Sequence, residues 1–398
     1  MAESTSEAFL SGQGIPVEPG QIEAELIRLW GPAAERAGGP DLESPNVTRI
    51  VLANLVVEAG PECPEFLEST LDTVVERYPC RSIVLRKTAD PGRAVAAEIA
   101  ALCHLPSANR PQVCSERIVL RAGPEAVDLL PGAVRPLLEA NLPFVLWWTD
   151  DPRPDERLFR DLAGECSRLV LDLPDPGTDP AALRLGLDPS INRFARDTAW
   201  FGVTRWRELV AQFFDGPDPA ESLSRIATVE VRAEVPGTPA VPRIAAWLVA
   251  WLAGQLGWTP VRREEATPGQ LDATFRGPSG EVAVAIRTAG LAAGGSAQIL
   301  GVTLTTRGTE GPDTYHLTRI DPRSPQVRVV VSSPTACTMP RVVNSPEPDA
   351  PGRVAAALHS SRHDPPFSRA RARALWLLGG GGMTRELREI SEDLGFQK

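Results

Sequence analysis

The run Val47-Thr-Arg-Ile-Val-Leu-Ala-Asn-Leu-Val-Val57 constrains the fold more than any other stretch. It is apolar at odd and even positions alike, so a strand built from it must be covered on both faces. Such a strand belongs in the middle of a parallel sheet flanked by helices. The neighbouring sequence agrees. Phe66, Leu67, Thr70, Leu71, Val74 and Val75 recur at helical spacing, and Ser82-Ile-Val-Leu85 reads as the next strand. Ser115 to Arg121 is strand-like, with Ile118 and Leu120 on one face. A helix around Ala133 to Ala140 leads to the strand Leu142-Pro-Phe-Val-Leu-Trp-Trp148. Leu158 to Cys166 is helical, Arg168 to Leu173 is a short strand, and Val203 to Phe214 is an amphipathic helix. Ala94 to Leu102 suits either a helix or a strand. The alternation predicts an α/β N-terminal layered domain with a largely parallel sheet.

Residues 1–20 are rich in Gly, Ser and Glu and read as a mobile N-terminal arm. Gln21 to Trp30 follows as a helix, with Gly31-Pro32 as its breaker. The turn-rich Asp215-Gly-Pro-Asp-Pro-Ala220 marks a boundary, so the expected domains are 21–216 and 221–398. Beyond it Ile226 to Val235 alternates as a strand, and Ile244 to Leu256 is a strongly apolar helix. The runs Val282–Ile286, Ile299–Thr306 and Val327–Val331 are further strands. This half is expected to be an α+β domain with a mainly antiparallel sheet. Asn344 to Gly352 reads as a Pro-rich loop, and helices near Phe367–Leu378 and Thr384–Leu394 finish the chain.

The length, 398 residues, accommodates two or three domains at roughly 100–200 residues each. Lys and Arg number 41 against 51 Asp and Glu, and the net charge of −10 argues against a nucleic-acid partner. No run of about 18 apolar residues occurs, so no membrane helix is expected. The start Met1-Ala-Glu-Ser-Thr-Ser-Glu7 lacks a secretory pattern, and a cytoplasmic protein is the expectation.

Lysine occurs only at Lys87 and Lys398, and tyrosine only at Tyr78 and Tyr315. Nearly all positive charge is arginine, which does not give up its proton and so serves poorly as a base or Schiff-base amine. There is no Gly-Lys-Ser/Thr phosphate loop and no Gly-x-Ser-x-Gly elbow. The usual catalytic residues are thus sparse, and binding is favoured over catalysis. The six cysteines (63, 80, 103, 114, 166 and 337) form no Cys-x-x-Cys pair and read as buried free thiols.

Several segments carry a functional and a plainer reading together. Gly379 to Gly382 before Met383-Thr384 offers helix-start amides for an anion, though a helix–helix joint is the plainer choice. His359-Ser-Ser-Arg-His363 spaces two imidazoles for a shared metal, but Ser360 stands where a zincin has Glu, and surface histidines fit as well. Trp147-Trp148 sits at the expected carboxyl end of a strand, where α/β folds place ligands; core packing is the alternative. Arg193 to Arg207 concentrates Arg193, Arg196, Arg205 and Arg207 with Trp200 and Trp206. That mixture suits an interface or an anionic ligand, or equally an amphipathic helix with its rings inward.

Read in order, Arg77-Tyr-Pro-Cys-Arg81-Ser-Ile-Val-Leu85, Cys114-Ser-Glu116, Leu142 through Trp148, and Asp197-Thr-Ala-Trp200 through Thr204-Arg-Trp-Arg207 to Phe214-Asp215 form a recognisable series. The series resembles the OpcA-type glucose-6-phosphate dehydrogenase assembly proteins of bacteria. The resemblance spans residues 45–215, with no sharp motif in the C-terminal half. It departs at Tyr78-Pro-Cys-Arg81, where the family often has His-Pro-Ser-Arg, and at Gly202, where a basic residue is common. No cysteine can be matched to the redox regulation described for photosynthetic members.

The resemblance implies a non-catalytic assembly factor and allosteric activator of glucose-6-phosphate dehydrogenase, acting in the oxidative pentose phosphate pathway. The expected partner is that enzyme, with no nucleic acid, membrane, metal or cofactor. Trp147, Trp148, Trp200, Arg205, Trp206 and Arg207 are expected to form or support the contact surface. Arg81 and Glu116 are expected to structure a sheet edge or hold an anion. The alternative is a sugar-phosphate or nucleotide-binding module at the carboxyl end of the N-terminal sheet, using Arg81 and the arginine cluster. An enzyme working through its carboxylates is a further alternative.

Overall fold

The expected central strand forms in two pieces. In a computed structural model, which describes residues 12–37, 47–59, 64–104, 112–175, 177–215, 219–291, 296–334 and 339–379, the first sheet holds nine strands. They are β1 (Ile15–Val17), β2 (Val47–Arg49), β3 (Asn54–Ala59), β4 (Arg81–Lys87), β5 (Ala96–His104), β6 (Gln112–Ala122), β7 (Phe144–Trp148), β8 (Arg168–Leu171) and β9 (Arg196–Asp197). Their order is β1-β5-β6-β4-β3-β7-β8-β9, with β2 also on β6. All neighbours are parallel except β1 with β5 and β5 with β6.

The sequence Val47–Val57 breaks at Ile50 because its two ends pair with different strands. Ile50 N–H still bonds to Cys114 on β6, whereas Asn54 already lies between Arg81 of β4 and Phe144 of β7. The Asn54 amide secures the turn, donating to the Glu139 carbonyl and accepting from the Glu139 N–H. From Asn54 onward the expectation holds, and all six residues of β3 are buried. Chain order carries β3 through the helix Pro64–Arg77 to β4, on to β6, and back to β7 on the other side of β3. The order therefore reverses between β3 and β7, which makes this a doubly wound sheet with its switch point there.

Other expectations need correction. Part of the N-terminal arm is a strand, since β1 pairs with β5 through Ile15, Pro16 and Val17; residues 1–11 lie outside the described residues. The ambiguous stretch is a strand, β5, because β6 and β1 supply ladders on both its edges. The helix expected over Ala133–Ala140 is a short turn, Leu130–Val134, followed by a 3-10 turn at Arg135–Leu137. Pro136 lacks the N–H that would continue the helix. The helix from Ile22 runs through Gly31-Pro32 to Ala37.

The second sheet holds β10 (Ile226–Pro236), β11 (Thr259–Thr267), β12 (Gln270–Gly277), β13 (Gly280–Leu291), β14 (Gln298–Thr306), β15 (Thr314–Arg319), β16 (Gln326–Ser332) and β17 (Arg341–Asn344). Its order is β11-β12-β13-β10-β14-β15-β16-β17. Only β10 and β13 pair in parallel, so the sheet is mainly antiparallel. The helix Arg243–Gln255 is apolar around its circumference because the sheet lies on one side and the helix Pro365–Leu377 on the other. Trp247 stacks on Phe367 at 5.0 Å, and a Cβ at Gly254 would sit 3.0 Å from the Arg369 backbone. Glycine there permits the close helix–helix approach.

The compact units do not divide at one point near residue 216, as composition suggested. One comprises residues up to Leu173 with Leu185–Asp197 and Ala350–Arg362; the other comprises Pro174–Arg184, Thr198–Asp349 and the segment from His363. Ala350–His359, whose first three residues were expected in the loop, is a helix of the first unit. Arg168 on β8 holds it by donating to the carbonyls of Ala357 and Ser360. The helix expected over Thr384–Leu394 lies outside the described residues.

Candidate functional site

Arg81 opens β4 and is 2% exposed. Its Nε donates to Glu116 Oε2 at 2.7 Å, and Nη1 donates to Glu23 Oε1 at 2.6 Å and to the Leu137 carbonyl at 2.8 Å. Glu139 lies 3.0 Å from Nη2. Glu116, buried on β6, accepts from Trp30 Nε1 and Arg49 Nε, each at 2.7 Å. A planar fork with five donors is what lets one buried side chain join two strands, a helix and a turn. This hub lies at the amino ends of the parallel strands, opposite the end where α/β sheets take ligands. Arg81 is thereby removed from the expected carboxyl-end anion site.

Trp147 and Trp148 are completely buried on β7. Adjacent strand residues point to opposite layers, so the pair fills both. Trp148 meets Phe159 edge-on at 5.0 Å. Among the described residues neither indole N–H has an acceptor. These rings can support a surface but do not form one.

What stands at the carboxyl end of the sheet is a charged cluster that the sequence reading missed. Glu58 near the end of β3, Lys87 at the end of β4 and Glu156 after β7 converge beside Trp148. Lys87 Nζ is 3.0 Å from Glu58 Oε1, 2.7 Å from Glu156 Oε1 and 5.2 Å from the centre of the Trp148 ring. Burial raises the Glu58 pKa, and the attraction of Lys87 does not cancel it; Asp150 and Glu156 push it further up. Burial also opposes the Lys87 charge, yet Glu58 and Glu156 together hold its pKa above the ordinary value. The cluster sits at the β3/β7 switch point, where dinucleotide folds cradle a pyrophosphate. Carboxylates outnumber the lysine there, and the sequence after β3, Gly60-Pro-Glu-Cys63, lacks the Gly-x-Gly-x-x-Gly pattern. Such a field opposes a phosphate. The signal available in the sequence was Lys87 itself, one lysine in an arginine-rich chain.

The tryptophan–arginine segment divides between the units: the exposed Arg193 and the buried Arg196 belong to the first, and the part from Thr198 folds inward in the second. Trp200, on the short helix Thr198–Gly202, meets Trp247 and Phe367 edge-on, each at 5.5 Å. Arg207 lies over the Trp200 ring at 3.7 Å and donates to Thr204 Oγ1 at 3.0 Å. Burial lowers its pKa to about 10. Trp206 donates to Glu347 Oε1 at 2.5 Å, and Arg319 pairs with the same carboxylate while facing the Trp206 ring. Of Trp200, Arg205, Trp206 and Arg207, only Arg205 stands well into solvent, its side chain 53% exposed and paired with Glu208 at 2.8 Å. Arg319 and Glu347 were not legible, since their partner is 113 or more positions away and no local pattern marks them.

A cavity of about 250 Å³ in this unit is lined by Asp175, Thr178, Leu183, Arg243, Arg263 and Glu265. Its charges are balanced, and Arg263 is held by the Leu377 carbonyl and Glu265. Among the described residues no group of three or more potential metal ligands includes the histidine pair. His359 Nδ1 lies 2.8 Å from the Ala355 carbonyl, its ring packs on Tyr78 at 4.9 Å, and His363 belongs to the other unit. Of the glycine run, residues 380–382 lie outside the described residues. Two cysteines correct the free-thiol reading: Cys103 and Cys114, directly opposite on β5 and β6, are bridged, while Cys80 and Cys166 are buried thiols.

Two family models match the chain. Residues 72–185 match the glucose-6-phosphate dehydrogenase subunit N-terminal domain, and residues 194–371 match the corresponding C-terminal domain. The chain belongs to the OpcA family of glucose-6-phosphate dehydrogenase assembly proteins. The first OpcA match covers Arg81, Glu116, Trp147 and Trp148, and the second covers Trp200 through Arg207. Among relatives, a candidate OxPP cycle protein OpcA of Synechococcus elongatus is 29% identical over 248 residues, 61% of this chain and 54% of its own length. The OpcA of Nostoc punctiforme, described in the same terms, is 30% identical over 207 residues, 51% of this chain and 43% of its own. The chain thus spans about half the length of these relatives. Among solved structures, a 3-ketoreductase, KijD10, from Actinomadura kijaniata has a TM-score of 0.45 at 11% identity, covering 82% of this chain and 95% of that one. A glucose-6-phosphate dehydrogenase bound to glucose 6-phosphate has a TM-score of 0.44 at 10% identity, covering 88% and 99%. At these values neither carries a substrate or cofactor over to the OpcA chain. No described helix is long and apolar enough to cross a membrane.

Proposed function

We propose that this chain is a non-catalytic subunit that binds glucose-6-phosphate dehydrogenase and shifts it toward an assembled, more active state. The observation that carries this reading is the pair of family models, both described as dehydrogenase subunit domains and together reaching from residue 72 to 371. The charge at the switch point supports it, since Glu58 and Glu156 around Lys87 disfavour the phosphate of a nucleotide. That same charge weighs against a sugar-phosphate or nucleotide module at this end of the sheet. Activation needs no chemistry from the chain: a partner that binds the active oligomer more tightly than its parts raises the active population by that difference in affinity.

The contact surface in this reading includes the outer face of the helix Thr204–Gln212, where Arg205 and Glu208 are exposed. Trp200, Trp206 and Arg207 hold that helix from beneath, while Trp147 and Trp148 keep the sheet of the other unit rigid. The test is dehydrogenase rate and particle mass with and without the full chain, using the enzyme from the same source. A larger and faster complex is expected; unchanged mass and kinetics would refute the assignment.

A further inference from the structure

The second sheet has one covered face and one bare face. On β10, Val229 and Val231 pack toward Leu248, Val249 and Leu252 of the helix Arg243–Gln255, whereas the alternate residues Thr228, Glu230 and Arg232 are exposed. β10 is an interior strand with β13 and β14 beside it, so exposure there means that no described element lies over this face. The strand register sorts the bare face into three rows. One row is small and flat: Thr274, Ala283, Thr228, Thr305 and Thr314. The middle row holds Asp272, Ala285, Glu230, Thr303 and His316. The third holds Arg287, Arg232, Gly301, Thr318 and Arg328. An acidic row thus runs across the middle of the sheet beside a basic one, and at the β16–β17 edge the two rows end in Val330 and the exposed Val342.

We propose that this face joins two copies of the chain in a twofold dimer. Consider a twofold axis lying in the plane of contact, parallel to the rows and midway between the acidic and basic ones. Rotation about it lays the acidic row of each copy on the basic row of the other. Glu230 then faces Arg232 of the second copy, and Arg232 faces its Glu230, as an isologous interface requires. Any other protein would need matching stripes of its own, whereas a second copy has them by symmetry. The size fits as well. Eight strands about 4.8 Å apart span about 34 Å, and six residues at about 3.3 Å span about 20 Å, giving roughly 700 Å² per copy, close to the ~800 Å² of a stable complex. Alanine, threonine and glycine allow two sheets to stack closely. Gly301 contributes directly: a Cβ there would lie 2.9 Å from Arg232 Nη2 and from the Leu317 carbonyl, so only glycine lets the arginine lie flat over β14. Two pairs on the face bond within the copy, Arg287 to Asp272 at 2.5 Å and Thr303 to His316 at 3.1 Å.

Sedimentation velocity of the full chain over micromolar concentrations tests this. The native chain is expected to dimerise. Glu230→Arg and Arg232→Glu, each placing like charges face to face, should weaken the dimer at least about tenfold. The double variant Glu230→Arg/Arg232→Glu restores opposite charges across the axis and should recover the native mass. All these residues are exposed, so circular dichroism and melting should stay native. A native chain that remains monomeric, or a dimer indifferent to all three variants, would overturn the proposal. So would folded single variants of unchanged mass that no longer bind the dehydrogenase, because the face would then belong to that enzyme.

Discussion

Lys87 shows how much one residue can decide. It is the counterion for two carboxylates, and its removal leaves Glu58 charged in a fully buried position. Lys87→Met is expected to cost about 3–5 kcal/mol near neutral pH, as breaking a buried pair does. The sign of the pH effect follows from Glu58. Burial raises its pKa in the native state, so its contribution to stability is full below the unfolded carboxyl value and is lost as pH rises through the native one. Without Lys87 that native value climbs further. Urea unfolding at a series of pH values should therefore show the variant's deficit shrinking as pH falls from neutral toward 5, and a constant deficit would contradict the account. The two buried thiols give a second test. Burial pushes Cys80 and Cys166 up to about 12, so both remain protonated at any ordinary pH. Alkylation at pH 8 followed by peptide mass mapping should find both protected until denaturant is added.

Among the elements, the first sheet depends on its hub. Arg81 ties β4 to β6 through Glu116 and to the helix Ile22–Ala37 through Glu23. Arg81→Met leaves Glu116 with Arg49 and Trp30 alone and is expected to destabilise by about 3–5 kcal/mol. Arg81→Lys should rescue little, because a single ammonium cannot replace the fork. Hydrogen exchange should locate the loss, with protection falling in Ile22–Ala37 and at the start of β4 before it falls in β7. Equal loss throughout would assign the hub a merely global role. Here the sequence could name the residues without naming their job. Arg81 and Glu116 stood out in short motifs, but the carboxylates completing the network, Glu23 and Glu139, lie 58 positions before and after Arg81. The break in Val47–Val57 had the same origin: each half is a good strand, and only the choice of neighbours shows that they serve different ladders.

For the whole molecule, the proposed function separates support from contact. Trp148→Phe keeps a ring in the layer beneath Lys87 and should lower the melting temperature while leaving dehydrogenase activation intact at temperatures where the chain is folded. Arg205→Glu touches an exposed side chain and should leave melting within the ±0.5 kcal/mol usual for surface changes, yet weaken activation. Activity titrations beside melting curves distinguish the two. If Arg205→Glu activates normally, the contact lies elsewhere and the helix Thr204–Gln212 is structural.

The sequence by itself determined the elements that depend on local pattern: the fully buried strands β3 and β7, the apolar helix Arg243–Gln255, the parallel character of one sheet and the antiparallel character of the other. Burial on both faces writes itself into composition, and so does helical spacing. Family membership was likewise legible, because short motifs in a fixed order survive in the chain. Tertiary structure alone decided which residues meet. It turned Trp147, Trp148, Trp200 and Trp206 inward, put Arg81 at the amino end of its sheet, set Lys87 between Glu58 and Glu156, bridged Cys103 to Cys114, and gathered the acidic and basic rows of the bare face from different strands. The physical reason is range: spacing encodes the side of an element on which a residue lies, whereas a salt bridge or an interface row joins residues that only the folded chain brings within a few ångströms.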